Sequence, residues 1–122
     1  MKLNGLIAAV HTPMHDDFTV DYDRVPAQAE HLAKGGASGA FVTGTTGESH
    51  SLTTEERLRM FDAWGRAAHR NGLKFIAHVG HNNLPDNQDK IEDFLNFNFP
   101  GPGEWNDRSN CCLSSRICQY DP

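Results

Sequence analysis

The stretch Gly39-Ala-Phe-Val-Thr-Gly44-Thr45-Thr46-Gly47-Glu48 decides the fold of this chain. Residues 39–43 are small, apolar or β-branched, a composition that predicts a buried strand. The glycines and threonines at 44–48, which we name the signature turn, predict a sharp connection rich in hydroxyl groups. Thr53 and Glu56 then predict a capping box at the start of a helix.

The residues before this stretch predict a first strand and a first helix. Residues 5–10 form a short apolar run that is typical of a strand buried on both faces. Asp21 or Asp23 is expected to cap a helix whose first turn contains Pro26, where the missing N–H costs little. Lys34-Gly35-Gly36 is expected to end that helix.

The residues after it predict a second helix and a third strand. The second helix is expected to end at Gly72, and residues 74–79 predict a further buried strand. The order βαβαβ predicts an α/β fold with a parallel sheet, in which the signature turn lies at the carboxyl ends of the strands. One face of the second helix carries an apolar stripe of Leu58, Phe61, Trp64 and Ala68.

Composition and charge limit the partners of the chain. It has 122 residues and a formal net charge of −5, without a lysine or arginine cluster, which argues against nucleic acid and anionic membrane. The apolar run at 6–10 is too short for a secretory or membrane segment, so we expect a cytoplasmic protein. The chain has three cysteines, Cys111, Cys112 and Cys118. Their number and spacing fit neither a disulfide framework nor a zinc site, so we interpret them as free thiols.

The chemistry of the signature turn suits a small carboxylate. Thr45 and Thr46 offer hydroxyl donors, and a turn between Gly44 and Gly47 can present backbone N–H groups to an anion. Glu48 is interpreted as structural, because a carboxylate there would repel phosphate, and no Gly-Lys-Ser/Thr follows it. The alternative is a plain strand-to-helix connection in which the threonines only satisfy loop backbone groups.

Residues 5–86 resemble the N-acetylneuraminate lyase and dihydrodipicolinate synthase family. The resemblance implies that this region is the N-terminal part of a (β/α)8 TIM barrel, of which a complete copy needs about twice this length. It leans toward the lyase branch on four segments: Ala8-Ala9, Thr12-Pro13-Met14, Gly44-Thr-Thr-Gly-Glu-Ser49 and His78-Val79-Gly80.

The resemblance implies a reaction, a substrate and an assembly. The family forms an imine between pyruvate and a lysine without a cofactor, and the lyase branch reversibly cleaves sialic acid to pyruvate and N-acetylmannosamine. Thr45 and Thr46 match the residues that bind the substrate carboxylate, the second of which joins a proton relay to a tyrosine. Full-length relatives are expected to be homotetramers. The alternatives are condensation of pyruvate as in the synthases, or a non-catalytic carboxylate-binding module.

The catalytic lysine and tyrosine of the family have no match among the residues of this chain. Lys2, Lys34 and Lys74 are expected at the rim opposite the signature turn, and Lys90 lies in the C-terminal region. Tyr22 and Tyr120 are not placed to replace the family's tyrosine. We therefore expect the chain as given to be inactive by itself.

Histidines suggest a rival hypothesis, a metal-dependent hydrolase that uses His11, His78 and His81. Their spacing matches no familiar zinc signature, so no metal site is predicted. His50 lies close enough to the signature turn to touch a longer substrate.

The C-terminal region, 87–122, has no sustained helical or strand period, and we interpret it as an aberrant or disordered tail after a partial barrel domain at 1–86. Our hypothesis is a shifted reading frame or a mis-spliced segment, and the alternative is a divergent natural terminus. Because three strands cannot close a barrel, we expect two open sheet edges, and hence poor solubility or oligomers by size-exclusion chromatography.

Overall fold

A computed structural model describes residues 3–80 together with 111–112 and 117–120. Short 3-10 turns at Tyr22–Arg24 and Ser49–Ser51 precede the two helices. Two short strands, β4 (Cys111–Cys112) and β5 (Ile117–Tyr120), follow later in the chain. The first elements, in chain order, are β1 (Ile7–Ala9), α1 (Val25–Lys34), β2 (Gly39–Val42), α2 (Thr54–Asn71) and β3 (Lys74–His78).

The first three strands are parallel, with β2 in the middle. Ala40 lies opposite Ala8 on one side and opposite Phe75 on the other. The predicted βαβαβ order and α/β class are therefore confirmed. Because the strands are parallel, their carboxyl ends meet at one edge of the sheet, which places the signature turn between the segments that follow β1 and β3.

The start of α1 differs from the prediction. Pro26 is in the first turn as expected, but Arg24 occupies the N-cap position and no side chain caps the helix. Asp21 is separated from α1 by the 3-10 turn, and its carboxylate instead lies 3.4 Å from Arg24 Nε and 3.6 Å from His15 Nδ1. The cap predicted at Asp21 or Asp23 is wrong because this turn leads directly into the helix. The predicted end is confirmed, with Gly35 at the C-cap.

The capping box of α2 is confirmed. Thr53 Oγ1 accepts a hydrogen bond from the Glu56 N–H at 3.2 Å, and Glu56 Oε2 accepts one from the Thr53 N–H at 2.8 Å. At the other end Gly72 adopts a φ of 66°, a left-handed conformation that glycine adopts without strain. Local sequence signals therefore determine both ends of this helix.

The core lies between the sheet and the helices. Three residues of the predicted stripe on α2, Phe61, Trp64 and Ala68, are buried, and Leu58 packs against them from a partly buried position. The Phe61 ring meets the edge of Phe75 from β3 at a centroid distance of 6.2 Å. Burial of each large apolar side chain contributes about 1.5–3 kcal/mol, so the contact of α2 with the sheet stabilises the fold substantially.

The first strand is less buried than predicted. Ile7 and Ala8 are half-buried and Ala9 is exposed. A cavity of about 210 Å³ lies beside them, and α1 contributes Gln28 to its wall. The apolar run was expected to be covered on both faces, but within the described residues β1 is an edge strand.

The other edge of the parallel sheet is not open. β5 pairs antiparallel with β3, and β4 pairs antiparallel with β5, so the order of the described strands is β1-β2-β3-β5-β4. Of the two open edges expected for the three parallel strands, only the one at β1 is found among the described residues. The remainder of the predicted tail lies outside the described residues. No described helix combines the length and apolar character needed to cross a membrane.

Replacement of Thr53 by alanine removes the side-chain half of the capping box. We expect Thr53→Ala to lower the free energy of unfolding by about 1 kcal/mol, measured by urea denaturation. Thr54→Ala is the matched control, because it removes a neighbouring threonine and leaves the cap in place. Equal effects of the two substitutions would contradict the role of the cap.

Candidate functional site

The residue directly before the signature turn is in a strained conformation. Thr43, which follows β2 directly, is fully buried and has a φ of 53°. A β-branched residue in this left-handed region costs about 1–2 kcal/mol, so its surroundings must hold it there. The chain consequently turns sharply at the end of β2, and the predicted strand end at Thr43 is one residue too long.

Hydrogen bonds within the turn then fold it back on itself. The Glu48 N–H donates to the Thr45 carbonyl at 3.0 Å, and the Ser49 N–H donates to the Gly44 carbonyl at 3.2 Å. These contacts close residues 44–49 into a compact loop that leads into the 3-10 turn at Ser49–Ser51.

Close packing explains both glycines of the turn. A Cβ atom on Gly44 would lie 2.4 Å from the Phe41 ring, and one on Gly47 would lie 3.0 Å from the Thr43 backbone and 3.2 Å from the Val10 carbonyl. Both residues are buried. The glycines therefore allow the turn to lie directly against the ends of β1 and β2, and neither requires a positive φ.

The predicted donors lie on the accessible side of this turn. Thr45 and Thr46 are exposed, while Gly44 and Gly47 anchor the turn beneath them. The N–H groups of Thr45, Thr46 and Gly47 donate no hydrogen bond to any other residue in the described part of the chain. The geometry brings the four predicted substrate-binding residues together, and it leaves hydroxyl and amide donors available to a small anion.

Glu48 and His50 lie next to these donors. Glu48 is exposed, has a φ of 55° and precedes the 3-10 turn, a position consistent with a structural role. His50 is exposed on that turn. The support that either residue gives to a substrate stays a prediction.

Thr12 clamps the turn from the β1 side. Its buried hydroxyl donates to the Gly47 carbonyl at 2.6 Å. From the sequence, Thr12-Pro13 indicated only the end of a strand and formed part of a family resemblance. A buried hydroxyl just beyond a parallel strand was the available signal, because the carboxyl ends of neighbouring strands meet at this edge.

His78 and Arg57 hold the turn from the β3 side, and sequence reasoning assigned this role to neither. Thr43 Oγ1 donates to the His78 carbonyl at 3.0 Å, while His78 Nδ1 lies 3.0 Å from the Thr43 carbonyl. Arg57 Nη2 donates to the same His78 carbonyl at 2.6 Å. Arg57 is 3% exposed, and burial lowers the pKa of its guanidinium. Contacts that join distant residues leave no local pattern in the sequence.

The structure gives the rival metal hypothesis no geometric support. His11 is exposed, and His78 Nδ1 faces the Thr43 carbonyl, which requires a proton on that nitrogen. His81 lies outside the described residues. Within residues 3–80 no three histidine, cysteine, aspartate or glutamate side chains converge as a metal site would require.

The described lysines lie far from the signature turn. Lys34 ends α1 and Lys74 begins β3, both near the amino ends of the strands. Lys2 and Lys90 lie outside the described residues. Tyr22 is in the 3-10 turn before α1, where burial raises the pKa of its phenol, and Tyr120 of β5 pairs with Phe75 near the amino end of β3. Lys34 and Lys74 are thus at the rim opposite the signature turn, as expected, whereas Tyr22 lies in the connection between β1 and α1, where Arg59 of α2 packs over its ring.

A model of the dihydrodipicolinate synthetase family matches residues 2–94 of the chain. The 4-hydroxy-tetrahydrodipicolinate synthase of Symbiobacterium thermophilum is 42% identical over 81 residues, which cover 66% of this chain and 27% of that protein.

Solved structures of two kinds of enzyme share the fold. N-acetylneuraminate lyase from Proteus mirabilis superimposes with a TM-score of 0.74 at 35% identity, covering 81% of this chain and 33% of that one. A chloride-inhibited dihydrodipicolinate synthase from Acinetobacter baumannii, complexed with pyruvate, gives a TM-score of 0.69 at 27% identity, covering 75% and 31%. The chain therefore spans only 27–33% of the length of these relatives.

Alanine at Gly47 would force the signature turn away from Thr43. We expect Gly47→Ala to lower the free energy of unfolding by about 1–3 kcal/mol, as typical for overpacking, in urea denaturation followed by circular dichroism. Gly35→Ala is the control, because Gly35 has an ordinary φ of −76° and its Cβ would come no nearer than 3.3 Å to another atom. A Gly47→Ala protein as stable as the Gly35→Ala protein would contradict the close packing.

Proposed function

The chain belongs to the dihydrodipicolinate synthetase family, and on that basis we propose that its signature turn binds the carboxylate of a small 2-oxo acid of the pyruvate type. The reaction proposed for the complete site is that of N-acetylneuraminate lyase, reversible aldol cleavage to pyruvate and N-acetylmannosamine. Thr45 and Thr46 are the residues assigned to the carboxylate, with Gly44 and Gly47 giving their backbone the required path.

One observation carries this proposal: exposed hydroxyl groups and unbonded amide N–H groups lie side by side at the carboxyl ends of parallel strands. Thr45 and Thr46 supply both kinds of donor. A carboxylate accepts hydrogen bonds only, so a group of donors suits its geometry. Three clamps hold the turn, from Thr12, from His78 and from its own internal bonds. The donors are thus fixed before a ligand arrives, which lowers the entropy cost of binding.

The expected strength of binding is modest. A hydrogen bond to a charged group contributes about 1.5–3 kcal/mol, and three or four of them must also offset the loss of ligand freedom. The balance corresponds to dissociation constants of roughly millimolar to micromolar. Such affinity is sufficient to hold pyruvate in an enzyme whose other groups fix the remainder of the substrate.

The lyase assignment has a named alternative. The relative from Symbiobacterium thermophilum is called a 4-hydroxy-tetrahydrodipicolinate synthase, and the structural relatives include both a lyase and a synthase. Both reactions use pyruvate, so the signature turn serves either of them. The lyase is favoured by the resemblance of sequence segments to that branch, among them Gly44-Thr-Thr-Gly-Glu-Ser49 and His78-Val79-Gly80.

A second candidate function is a non-catalytic carboxylate-binding module. It is favoured by the positions of two lysines. Lys34 ends α1 and Lys74 begins β3, so both lie at the rim remote from the signature turn. An imine-forming lysine must reach the bound 2-oxo acid, and neither of these lysines does so in the described part of the chain.

Removal of the two hydroxyl groups should weaken pyruvate binding. We expect Thr45→Val and Thr46→Val each to raise the dissociation constant of pyruvate about tenfold, since each loses one hydrogen bond to a charged group. Titration of the isotope-labelled protein, followed by nuclear magnetic resonance, measures this constant. Thr19→Val, an equal change in an exposed loop, is the control. An unchanged constant in both turn variants would contradict the assignment.

The chain as given should not form an imine. We expect no covalent adduct by mass spectrometry after treatment with pyruvate and borohydride, and no pyruvate released from N-acetylneuraminate above a protein-free blank. The physical reason is the distance of the described lysines from the turn. A stoichiometric adduct on any lysine would contradict this expectation and would identify the catalytic residue.

A further inference from the structure

We infer that His78 is a positioning residue for the signature turn, and that its imidazole N–H fixes the Thr43 carbonyl and thereby the donors of Thr45 and Thr46. The inference rests on the function proposed above, because it concerns the same carboxylate site. His78 itself lies at the end of β3 and is not assigned a contact with the ligand.

Thr43 and His78 make a pair of reciprocal contacts. Thr43 Oγ1 donates to the His78 carbonyl, and His78 Nδ1 approaches the Thr43 carbonyl, each at 3.0 Å. A carbonyl oxygen only accepts, so Nδ1 carries the proton and donates. The side chain and the carbonyl of Thr43 are therefore both held by one residue of the neighbouring strand.

The backbone of Thr43 is strained. Its φ of 53° is unfavourable for a β-branched side chain, so the conformation persists only where neighbouring groups fix it. The two contacts with His78 fix the residue on both sides of its Cα atom. If the imidazole donor is lost, the carbonyl of Thr43 is free to rotate toward an ordinary conformation.

Gly47 links Thr43 to the donors of Thr45 and Thr46. Gly47 lies so close to the Thr43 backbone that even a Cβ atom would come within 3.0 Å of it. Gly47 is also tied to Thr12 by the 2.6 Å hydrogen bond to its carbonyl. A movement of Thr43 therefore strains both ends of the segment that contains Thr45 and Thr46.

His78 is itself held in place by its neighbours. Its carbonyl accepts from Arg57 Nη2 at 2.6 Å as well as from Thr43, and its ring packs against Phe41 at a centroid distance of 5.8 Å. The preceding residue, Ala77, pairs with Val42 of β2, and His78 itself pairs with Ile117 of β5. A rigid support of this kind is what a positioning residue needs.

Two substitutions separate the imidazole donor from the bulk of the ring. Asparagine carries an N–H donor near the position of Nδ1, so His78→Asn keeps the hydrogen bond to the Thr43 carbonyl. Leucine has no donor but keeps an apolar side chain beside Phe41, so His78→Leu removes the imidazole donor. His31→Leu, on the exposed side of α1, is the control for a lost histidine.

The experiment uses the full chain, labelled with nitrogen-15, and follows the amide signals of Thr45, Thr46 and Gly47. We expect His78→Leu to displace these signals and speed their hydrogen exchange without ligand, and to raise the pyruvate dissociation constant about three- to tenfold. His78→Asn should restore both readouts to wild-type values. Circular dichroism checks that each variant is folded.

Each outcome decides the inference. If the leucine variant resembles the wild type, or if asparagine is as disruptive as leucine, the imidazole donor has no positioning role. If the wild-type amides do not respond to pyruvate, the proposed function fails, while the exchange rates without ligand still decide the role of His78. Should His78→Leu not fold, the nitrogen-15 chemical shifts of the wild-type imidazole provide the test, because the inference requires a proton on Nδ1. A His78 ring protonated on Nε2 alone would overturn the inference.

Discussion

The parallel pairing of β2 with both of its neighbours is the constraint on which the site depends. It places the residues after β1, β2 and β3 at one edge, where Thr12 reaches Gly47 and Thr43 reaches His78. Both of these hydrogen bonds join residues 35 positions apart, because each extends from the end of one strand to the equivalent end of the next. Each of the two hydrogen bonds that hold the signature turn therefore spans one βα unit.

Much of the fold could be predicted because it is specified by local signals. The capping box at Thr53 and the left-handed Gly72 determine α2 without reference to any other element. The failures have a common cause, which is tertiary context. Asp21 is a residue type that can cap a helix. In the structure its carboxylate instead pairs with Arg24, and a 3-10 turn separates it from α1. The exposed Ala9 has the composition of a buried strand, and only its place at the sheet edge exposes it.

The candidate site shows the same division. The exposed position of Thr45 and Thr46 was predictable, because polar residues between glycines after a buried strand predict a surface turn. Arg57 was not, since a charged residue on a helix normally faces water. Its burial has a cost, because the charge is desolvated and Nε has no acceptor among the described residues. The single hydrogen bond to His78 offsets part of that cost and links α2 to the end of β3.

The antiparallel strand next to β3 affects the order in which the molecule is built. β5 reaches β3 only after the connection at 79–116, whereas β1, β2 and β3 pair across single βα units. Pairing across a long connection is slow, because loop-closure entropy must be overcome first. During synthesis the three parallel strands leave the ribosome first, so the backbone groups along β3 stay open until Ile117 and its neighbours emerge. During this interval the open edge of β3 can pair with another chain, which adds a risk of aggregation.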